Sequence, residues 1–148
     1  MEFLLQGQVE KLENICASPT GATFVCADVG GEPLRTRRTF HLDSQLLGEL
    51  DVLVMSVHGV AHEDVERLEE ESRHKLVIRA NLSLSVCKVV DRLDDIAIQY
   101  FVSTAAAGLA DVNRALDLLL ARAILTLDAA CGYFETWACE AVKDRCCS

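Results

Sequence analysis

Two histidines lie close enough together in the sequence to suggest a metal site. His58 and His62 form an H-x-x-x-H spacing, which would place both imidazoles on one face of a helix. His58, however, follows an apolar strand-like run and His62 precedes a helical pattern, so we expect the first to end a strand and the second to begin a helix. No cysteine or carboxylate stands nearby at ligand spacing. The sequence therefore predicts neither a bound metal nor a cofactor.

Seven cysteines are the next candidates for chemistry, as zinc ligands or as disulfides. Zinc ribbons and disulfide frameworks use closely spaced pairs of cysteines. This chain has no C-x-x-C pair and an odd number of cysteines, namely Cys16, Cys26, Cys87, Cys131, Cys139, Cys146 and Cys147. We therefore expect free thiols, most of which behave as small buried apolar side chains.

Arg35, Arg37 and Arg38 form the basic cluster of the sequence. Such a cluster is able to grip a carboxylate or a phosphate, but internal ion pairs are the favoured interpretation in an acidic chain. A phosphate-binding loop is not predicted, because Gly30 and Gly31 join two strand-like runs and do not open a helix. Nothing in the sequence marks a nucleophile with its base, although such partners can be distant along a chain. We predict no catalytic residues.

The size and charge of the chain limit the classes of function. With 148 residues, of which 51% are hydrophobic, the chain fits one globular domain with one core. A formal net charge of −9 leaves no general basic surface and argues against direct nucleic-acid binding. No apolar run reaches the roughly 18 residues of a membrane span, and the first residues lack the features of a signal peptide. We therefore expect no membrane association and a cytosolic or nuclear location.

The elements that must position these side chains include a hairpin. Residues 22–29 and 34–42 are rich in strand-forming types and are joined by a loop that contains two glycines. In the second strand the two faces differ: Leu34, Phe40 and Leu42 share one, and Arg35, Arg37, Thr39 and His41 share the other. This pattern predicts an antiparallel sheet with one packed face and one polar face.

Further strands and a surface helix surround the hairpin. Residues 3–5 predict a short strand, and Val9, Leu12 and Ile15 at helical spacing predict a short helix after it. Downstream we expect a central strand at 52–57, a surface helix from 62 to about 73 with Val65 and Leu68 as its apolar stripe, and strands at 76–78, 82–86 and 96–102.

The strongest predicted helix runs from Leu109 to Leu127, where the apolar period changes to 3.6 residues. Weaker helical spacing continues through Phe134 and Trp137. We therefore expect a single α+β domain over residues 1–127 and a helical C-terminal extension over 128–148. The tryptophan either completes the core or anchors a partner, and the core interpretation is favoured.

Several stretches, taken in order, resemble the Mediator complex subunit 18 family. M-E-F-L-L-Q-G at residues 1–7 is similar to the family's opening M-E-aromatic-L-L-Q-G, and L-R-T-R-R at 34–38 is similar to its L-R-x-R-R. Residues 52–70 follow the family's strand and surface helix. L-S-L-S-V-C-K-V-V at 82–90 resembles its next strand, and Y-F-V-S-T-A-A-A-G at 100–108 resembles its closing strand and Ala-rich turn.

The resemblance implies a fold and a set of partners. The fold would be an antiparallel, β-barrel-like sheet with flanking helices. The protein would be a non-enzymatic coactivator scaffold in the head module of the nuclear RNA polymerase II Mediator, in contact with Mediator subunit 20 and with a helix of subunit 8. The candidate partner-contact or structural residues are Arg35, Arg37, Phe101 and Trp137.

Two alternatives belong to other classes. Metal-dependent RNA triphosphatases have a similar barrel, whose strands carry alternating glutamates for a divalent cation. Here Glu2 is followed by Leu4 at the alternate position, and the later strands carry leucine, serine and arginine instead. The other alternative is an unrelated α+β regulatory domain that forms a homodimer. We expect the non-enzymatic scaffold.

Overall fold

The described residues form one antiparallel sheet and three helices. The computed structural model describes residues 12–19, 21–47, 50–103 and 112–147. The sheet order is β1-β2-β3-β4-β6-β5, with strands β1 (Leu12–Ala17), β2 (Gly21–Val29), β3 (Glu32–Leu47), β4 (Leu50–Val57), β5 (Cys87–Asp91) and β6 (Ile96–Ser103). The helices are α1 (His62–Glu66), α2 (Glu70–Ser83) and α3 (Val112–Cys147). The predicted α+β class is confirmed.

The predicted hairpin is confirmed as β2 and the first part of β3. Its turn contains Gly30 and Gly31, whose φ angles are +58° and +86°. Residues with a side chain rarely adopt positive φ, which explains the two glycines. Phe24 lies opposite Phe40 in the register, and their rings stack with centroids 5.6 Å apart. Because both rings are fully buried, this pair fixes the hairpin to the core.

The sheet has a packed inner face and a more polar outer face. Along β3, the face that contains Leu34, Phe40 and Leu42 is buried, as the strand period predicts. Helix α3 crosses this inner face and contacts β2, β3, β4, β5 and β6. Its buried side chains recur at helical spacing: Leu120, Ala123, Ile124, Leu127, Ala130, Cys131, Phe134 and Ala138.

The predicted strands at 52–57 and 96–102 are confirmed as β4 and β6. β4 lies between β3 and β6, and side chains on both of its faces are buried, for example Met55 on the inner face and Val54 on the outer face. A run that is apolar on both faces therefore marks an interior strand here.

The prediction for residues 76–78 and 82–86 is wrong. Residues 76–83 belong to α2, and only the following strand, β5, begins at Cys87. The buried positions of α2 are Leu76 and Ala80, four residues apart, as a helix on a core requires. The surface helix expected from 62 to about 73 is consequently two helices, α1 and α2, although Val65 and Leu68 are buried as predicted.

The predicted helix around Leu12 and Ile15 is also wrong, because both residues lie in strand β1. The helical spacing involves only three apolar residues, and the pairing of this segment with β2 stabilises a strand instead. The expected strand at 3–5 and the start of the long helix at Leu109 lie outside the described residues.

Helix α3 is continuous over 36 residues. The two helical segments that the sequence suggests, up to Leu127 and around Trp137, are parts of this one helix. No break separates residues 112–127 from 128–147. None of the described helices, α3 included, combines the length and the apolar character needed to cross a membrane.

A side chain of α2 covers the edge of the sheet at β5. At the β5 end, the Asn81 amide of α2 donates to the Val89 carbonyl at 2.9 Å and accepts from the Val89 N–H at 2.8 Å. This pair occupies backbone groups that an edge strand would otherwise expose. Among the described residues no pairing joins β5 to β1, so the sheet is open and the term barrel-like applies only loosely.

Candidate functional site

A buried arginine connects the sheet to helix α3. Arg38 points from β3 to the inner face, where its Nε donates to Asp128 Oδ1 at 2.9 Å and its Nη1 to Glu135 Oε1 at 3.0 Å. Asp128 Oδ2 accepts a further bond from the Arg35 backbone N–H, also at 2.9 Å. We call Arg38, Asp128 and Glu135 the buried network. It joins strand and helix at one point of the core.

The electrostatics of the buried network keep its arginine charged. Burial alone would lower the pKa of the Arg38 guanidinium, but the hydrogen bond to Asp128 and the surrounding negative charge outweigh burial, so the pKa is raised. The Nη2 of Arg38 is buried without a hydrogen-bond partner. The guanidinium of Arg38 therefore depends on its carboxylate partner to compensate its buried positive charge. Such an arrangement is typical of a structural role rather than of a reactive group.

Arg35 lies on the same flank of α3 but close to the surface. A Cβ at Gly132 would come within 2.4 Å of Arg35 Nη1, so the absence of a side chain on the helix makes room for the arginine. Arg35, Gly132 and Thr136 line part of an open pocket together with Glu135, Cys139, Glu140 and Lys143. The pocket mixes both charges, and it therefore has no pronounced preference for an anion.

The other two candidates on the sheet are separate from this flank. Arg37 is exposed and forms an ion pair with Glu13 of β1. Internal ion pairing was the favoured interpretation of the arginine cluster, and it holds for Arg37 and Arg38. Phe101 lies opposite Val54 on the outer face and is 43% exposed. The structure therefore does not bring Phe101 and Trp137 together, because they belong to opposite faces of the sheet.

Trp137 lies on the other flank of α3, facing α2. Its ring is partly buried and packs against the core, while Arg79 of α2 covers the ring with its Cζ 5.6 Å from the centroid. Tyr133, one turn earlier and 57% exposed, stacks on Trp137 with centroids 6.1 Å apart. One part of the Trp137 ring packs against the core, as the favoured interpretation predicts, and another part lines a surface.

This surface is a groove between α2 and α3. It has a volume of about 580 Å³, and its lining consists of Glu69, Ser72, Lys75, Leu76, Arg79, Trp137, Ala141 and Asp144. We call it the interhelical groove. The α2 side carries both signs of charge, with Lys75 and Arg79 beside Glu69, and the α3 side carries the negative charge of Asp144, with Glu140 adjacent to the groove. The Arg79–Glu140 pair spans the two helices at 3.5 Å, with both side chains more than half exposed.

The cysteines differ in exposure but are all free where the structure describes them. Cys26, Cys87 and Cys131 are buried, whereas Cys16 is exposed and Cys139 is intermediate. Burial raises the pKa of the Cys87 thiol to about 11 and that of Cys131 to about 12. Such thiols are poor nucleophiles, because the thiolate is the reactive form.

The two histidines of the H-x-x-x-H spacing do not converge. His58 follows the end of β4 and His62 begins α1, as predicted. His62 Nε2 lies 2.9 Å from Glu66 Oε1, while the His58 ring stacks on that of His41. Within the described ranges, no three histidine, cysteine, aspartate or glutamate side chains are grouped as ligands for a metal ion.

Sequence reasoning favoured an internal ion pair for Arg38 but did not identify its partners Asp128 and Glu135, and it missed the stacked histidines. Arg38 has the same parity in β3 as Leu34 and Phe40, so the strand period alone places it on the buried face. Asp128 is likewise a charged residue within an apolar stretch of the helix. No such signal in the sequence indicates that Arg79 contacts Trp137. The sequence pattern predicts strands at 76–78 and 82–86, on either side of Arg79, and not a helix that could pack beside Trp137.

Comparisons with protein-family models, with curated proteins and with solved structures found no match to this chain.

Proposed function

We propose that this chain is a non-enzymatic scaffold subunit of the Mediator head module, similar to Mediator subunit 18. In this role it acts as a nuclear coactivator component and contacts other head subunits, among them subunit 20 and subunit 8. Support comes from the ordered motifs between residues 1 and 108 that resemble the family, together with the interhelical groove.

The observation that carries the proposal is the composition of the interhelical groove. Trp, Tyr and Arg are the side chains that most often dominate binding energy at protein interfaces. Here Trp137 contacts both Arg79, which lines the groove with it, and Tyr133, which lies next to the groove. Trp137 is held in place by the core beneath it. A rigid, partly buried aromatic anchor loses little side-chain entropy on binding. These residues therefore form a ready surface for a partner protein.

The charges of the groove indicate the chemistry of its occupant. On the α2 side the groove is bordered by Glu69, Lys75 and Arg79, and on the α3 side by Asp144, while Glu140 lies beside it and pairs with Arg79. A partner segment that fits would place an acidic side chain over Arg79, a basic side chain over Asp144 and an apolar side chain against Trp137. The exposed Arg79–Glu140 pair is weak and is readily exchanged for contacts with such a segment.

The test is a comparison of tagged variants expressed in the native organism. Tagged wild-type chain should recover the Mediator head subunits, as identified by mass spectrometry. Arg79→Glu should reduce this recovery strongly because it places a negative charge where the partner is acidic. The matched control is Arg37→Glu, an equally exposed arginine on the outer face of the sheet.

Two results would contradict the proposal. Recovery of partner proteins without any Mediator head subunit would remove the assignment. Steady release of phosphate from a nucleoside triphosphate in the presence of manganese, abolished by Glu2→Ala, would show a triphosphatase instead.

A further inference from the structure

Two histidine rings stack on the outer face of the sheet, away from both flanks of α3. The centroids of His41 and His58 are 3.8 Å apart, and the ring planes differ by 9°. His41 belongs to β3, and His58 follows the last residue of β4. Ser56, which lies opposite His41 in the register, places its Oγ 3.1 Å from His58 Nε2. Three polar side chains from two strands are therefore in direct contact.

The parallel orientation of the two rings does not suit them to bind a shared metal ion. The lone pairs of imidazole nitrogens lie in the plane of the ring, so two parallel stacked rings direct them side by side and not toward a common point. A shared metal ion needs converging lone pairs and further ligands. The stack is instead compatible with two neutral rings, because two imidazolium ions at this separation would repel each other strongly.

The stack is one of the contacts that hold the segment after His58. Residues 58–61 connect β4 to α1, and two of them, Gly59 and Ala61, have positive φ angles of +64° and +53°. For alanine this conformation is strained, so the loop needs contacts that hold it. At one end of the loop the His58 ring stacks on His41, and at the other the Ala61 carbonyl accepts from the Val65 N–H at 2.9 Å. Between them Val60 is buried in the core, and its N–H donates to the Ile96 carbonyl at 3.0 Å.

The charged groups around the rings come from two parts of the chain. Asp43 lies two residues along β3 from His41, and Arg92 and Asp95 belong to the turn between β5 and β6. Burial lowers the pKa of His41, with Asp43 and Asp95 opposing and Arg92 reinforcing the shift. Burial likewise lowers the pKa of His58, and the neighbouring His41 lowers it further.

We propose that the His41–His58 stack is a proton-sensitive clasp for the β4–α1 loop. With both rings neutral, the clasp holds residues 58–61 on the sheet. When a proton is taken up, the cationic ring is solvated better in water than in the stack, so His58 separates from His41 and the strained loop is released. Because the rings interact, they titrate as a pair. The clasp does not depend on the proposed function.

The sign of the effect follows from the direction of the shifts. A histidine whose folded pKa lies below its unfolded value binds fewer protons in the folded state, so unfolding takes up protons. Its contribution to stability is present above the unfolded pKa, near 6.5, and is lost as the pH falls from there through the folded pKa. The clasp is therefore closed at neutral pH and opens in mildly acidic solution.

The experiment is an NMR titration of the isotopically labelled chain. In the folded wild type, the ring signals of His41 and His58 should titrate at lower pH than histidines in the urea-unfolded chain. The Val60 amide should lose about tenfold of its protection against hydrogen exchange between pH 7.5 and 5.5, after correction for the intrinsic rate. In His41→Gln, the titration of His58 should move to higher pH.

The control is His62→Gln, which removes an exposed histidine of α1 that takes no part in the stack. It should leave the titration of both rings and the behaviour of Val60 unchanged. Unchanged protection of Val60 in the wild type over this pH range would overturn the proposal. So would a His58 titration that His41→Gln does not move. The wild-type measurements stand alone if that variant does not fold.

Discussion

Helix α3 carries an arginine–carboxylate pair on each of its flanks, and the two pairs differ in their access to water. Toward β3, the side chains of Arg38 and Asp128 are 8% and 7% exposed. Toward α2, those of Arg79 and Glu140 are 55% and 53% exposed. Each pair joins an arginine to a carboxylate of the same helix, so the two flanks differ chiefly in how far their pairs are buried.

The comparison separates a flank of the helix that serves folding from the flank on which we propose a docking surface. Breaking a buried pair leaves a charge without compensation in the core, whereas an exposed pair exchanges its partner for water at little cost. The flank with the buried network is therefore committed to stability. The flank with the interhelical groove is able to change partners, as a docking surface must.

The largest predicted effect is on the buried network. Asp128→Ala should lower the free energy of unfolding by about 3–5 kcal/mol, because it leaves the Arg38 guanidinium buried without its carboxylate. The matched variant on the exposed flank, Glu140→Ala, should cost less than about 1 kcal/mol. Urea denaturation at neutral pH measures both. Equal losses for the two variants would contradict the distinction between the flanks.

The cysteines of α3 provide a second comparison of burial. Cys131 lies in the core and Cys139 lines the pocket beside Arg35. We expect Cys139 to react with a thiol reagent at least about a hundredfold faster, since burial raises the pKa of Cys131 to about 12 and opening of the core limits access to it. Mass spectrometry of the labelled chain locates the modified residue. Comparable rates of modification at Cys131 and Cys139 would contradict this expectation, because they would show that the core around Cys131 opens easily to the reagent.

An intermediate effect is expected where α2 is attached to the sheet. Arg73 donates to both carboxylate oxygens of Asp91 on β5, at 3.0 and 2.6 Å, and these side chains are about one-fifth exposed. Asp91→Asn should reduce the free energy of unfolding by about 1–2 kcal/mol at neutral pH. Denaturation of wild type and variant over a range of pH provides the measurement.

The pH dependence of this difference has a definite sign. Burial alone would raise the pKa of Asp91, but hydrogen bonds from the Leu93 N–H and from Arg73, with the arginine charge, lower it below its usual value. The contribution is therefore present above the unfolded pKa and is lost as the pH falls through the folded one. A difference between wild type and variant that stays constant down to strongly acidic pH would contradict this origin.

The smallest predicted effect on stability belongs to the interhelical groove. Arg79→Ala removes an exposed ion pair and a contact with the face of Trp137, and it should cost less than about 1 kcal/mol. Thermal denaturation, followed by circular dichroism, should give nearly the wild-type midpoint. A loss as large as that of Asp128→Ala would mean that this flank is structural too.

Much of the fold is predicted correctly from the spacing of apolar residues along the sequence. The errors fall in segments where this spacing extends over only a few residues. The hairpin around Gly30-Gly31, the interior strand β4 and the long helix combine a clear period with turn or helix chemistry, so they were predicted correctly. The alternation at residues 82–86 covers only five positions, and Leu82 is 83% exposed in the last turn of α2. In this segment, the contacts of Asn81 with β5 and of Leu76 with the core favour a helix over the predicted strand.

The candidate site was predicted only in part. Trp137 is recognised from the sequence by its type, and its packing against the core is confirmed, while its role as an anchor for a partner stays a prediction. Arg79 and Tyr133 were not found, because their relation to Trp137 depends on how α2 packs beside α3. That packing follows from tertiary contacts and leaves no local signal in the sequence.

The most direct measurement is the recovery of Mediator head subunits by tagged Arg79→Glu relative to wild type, at equal amounts of folded protein. The account predicts a normal thermal midpoint together with a several-fold loss of these subunits, because the groove contributes to binding and little to folding. Wild-type recovery by this variant, with the head subunits present in the same proportions, would contradict the claim that the α2 flank of α3 is the docking surface.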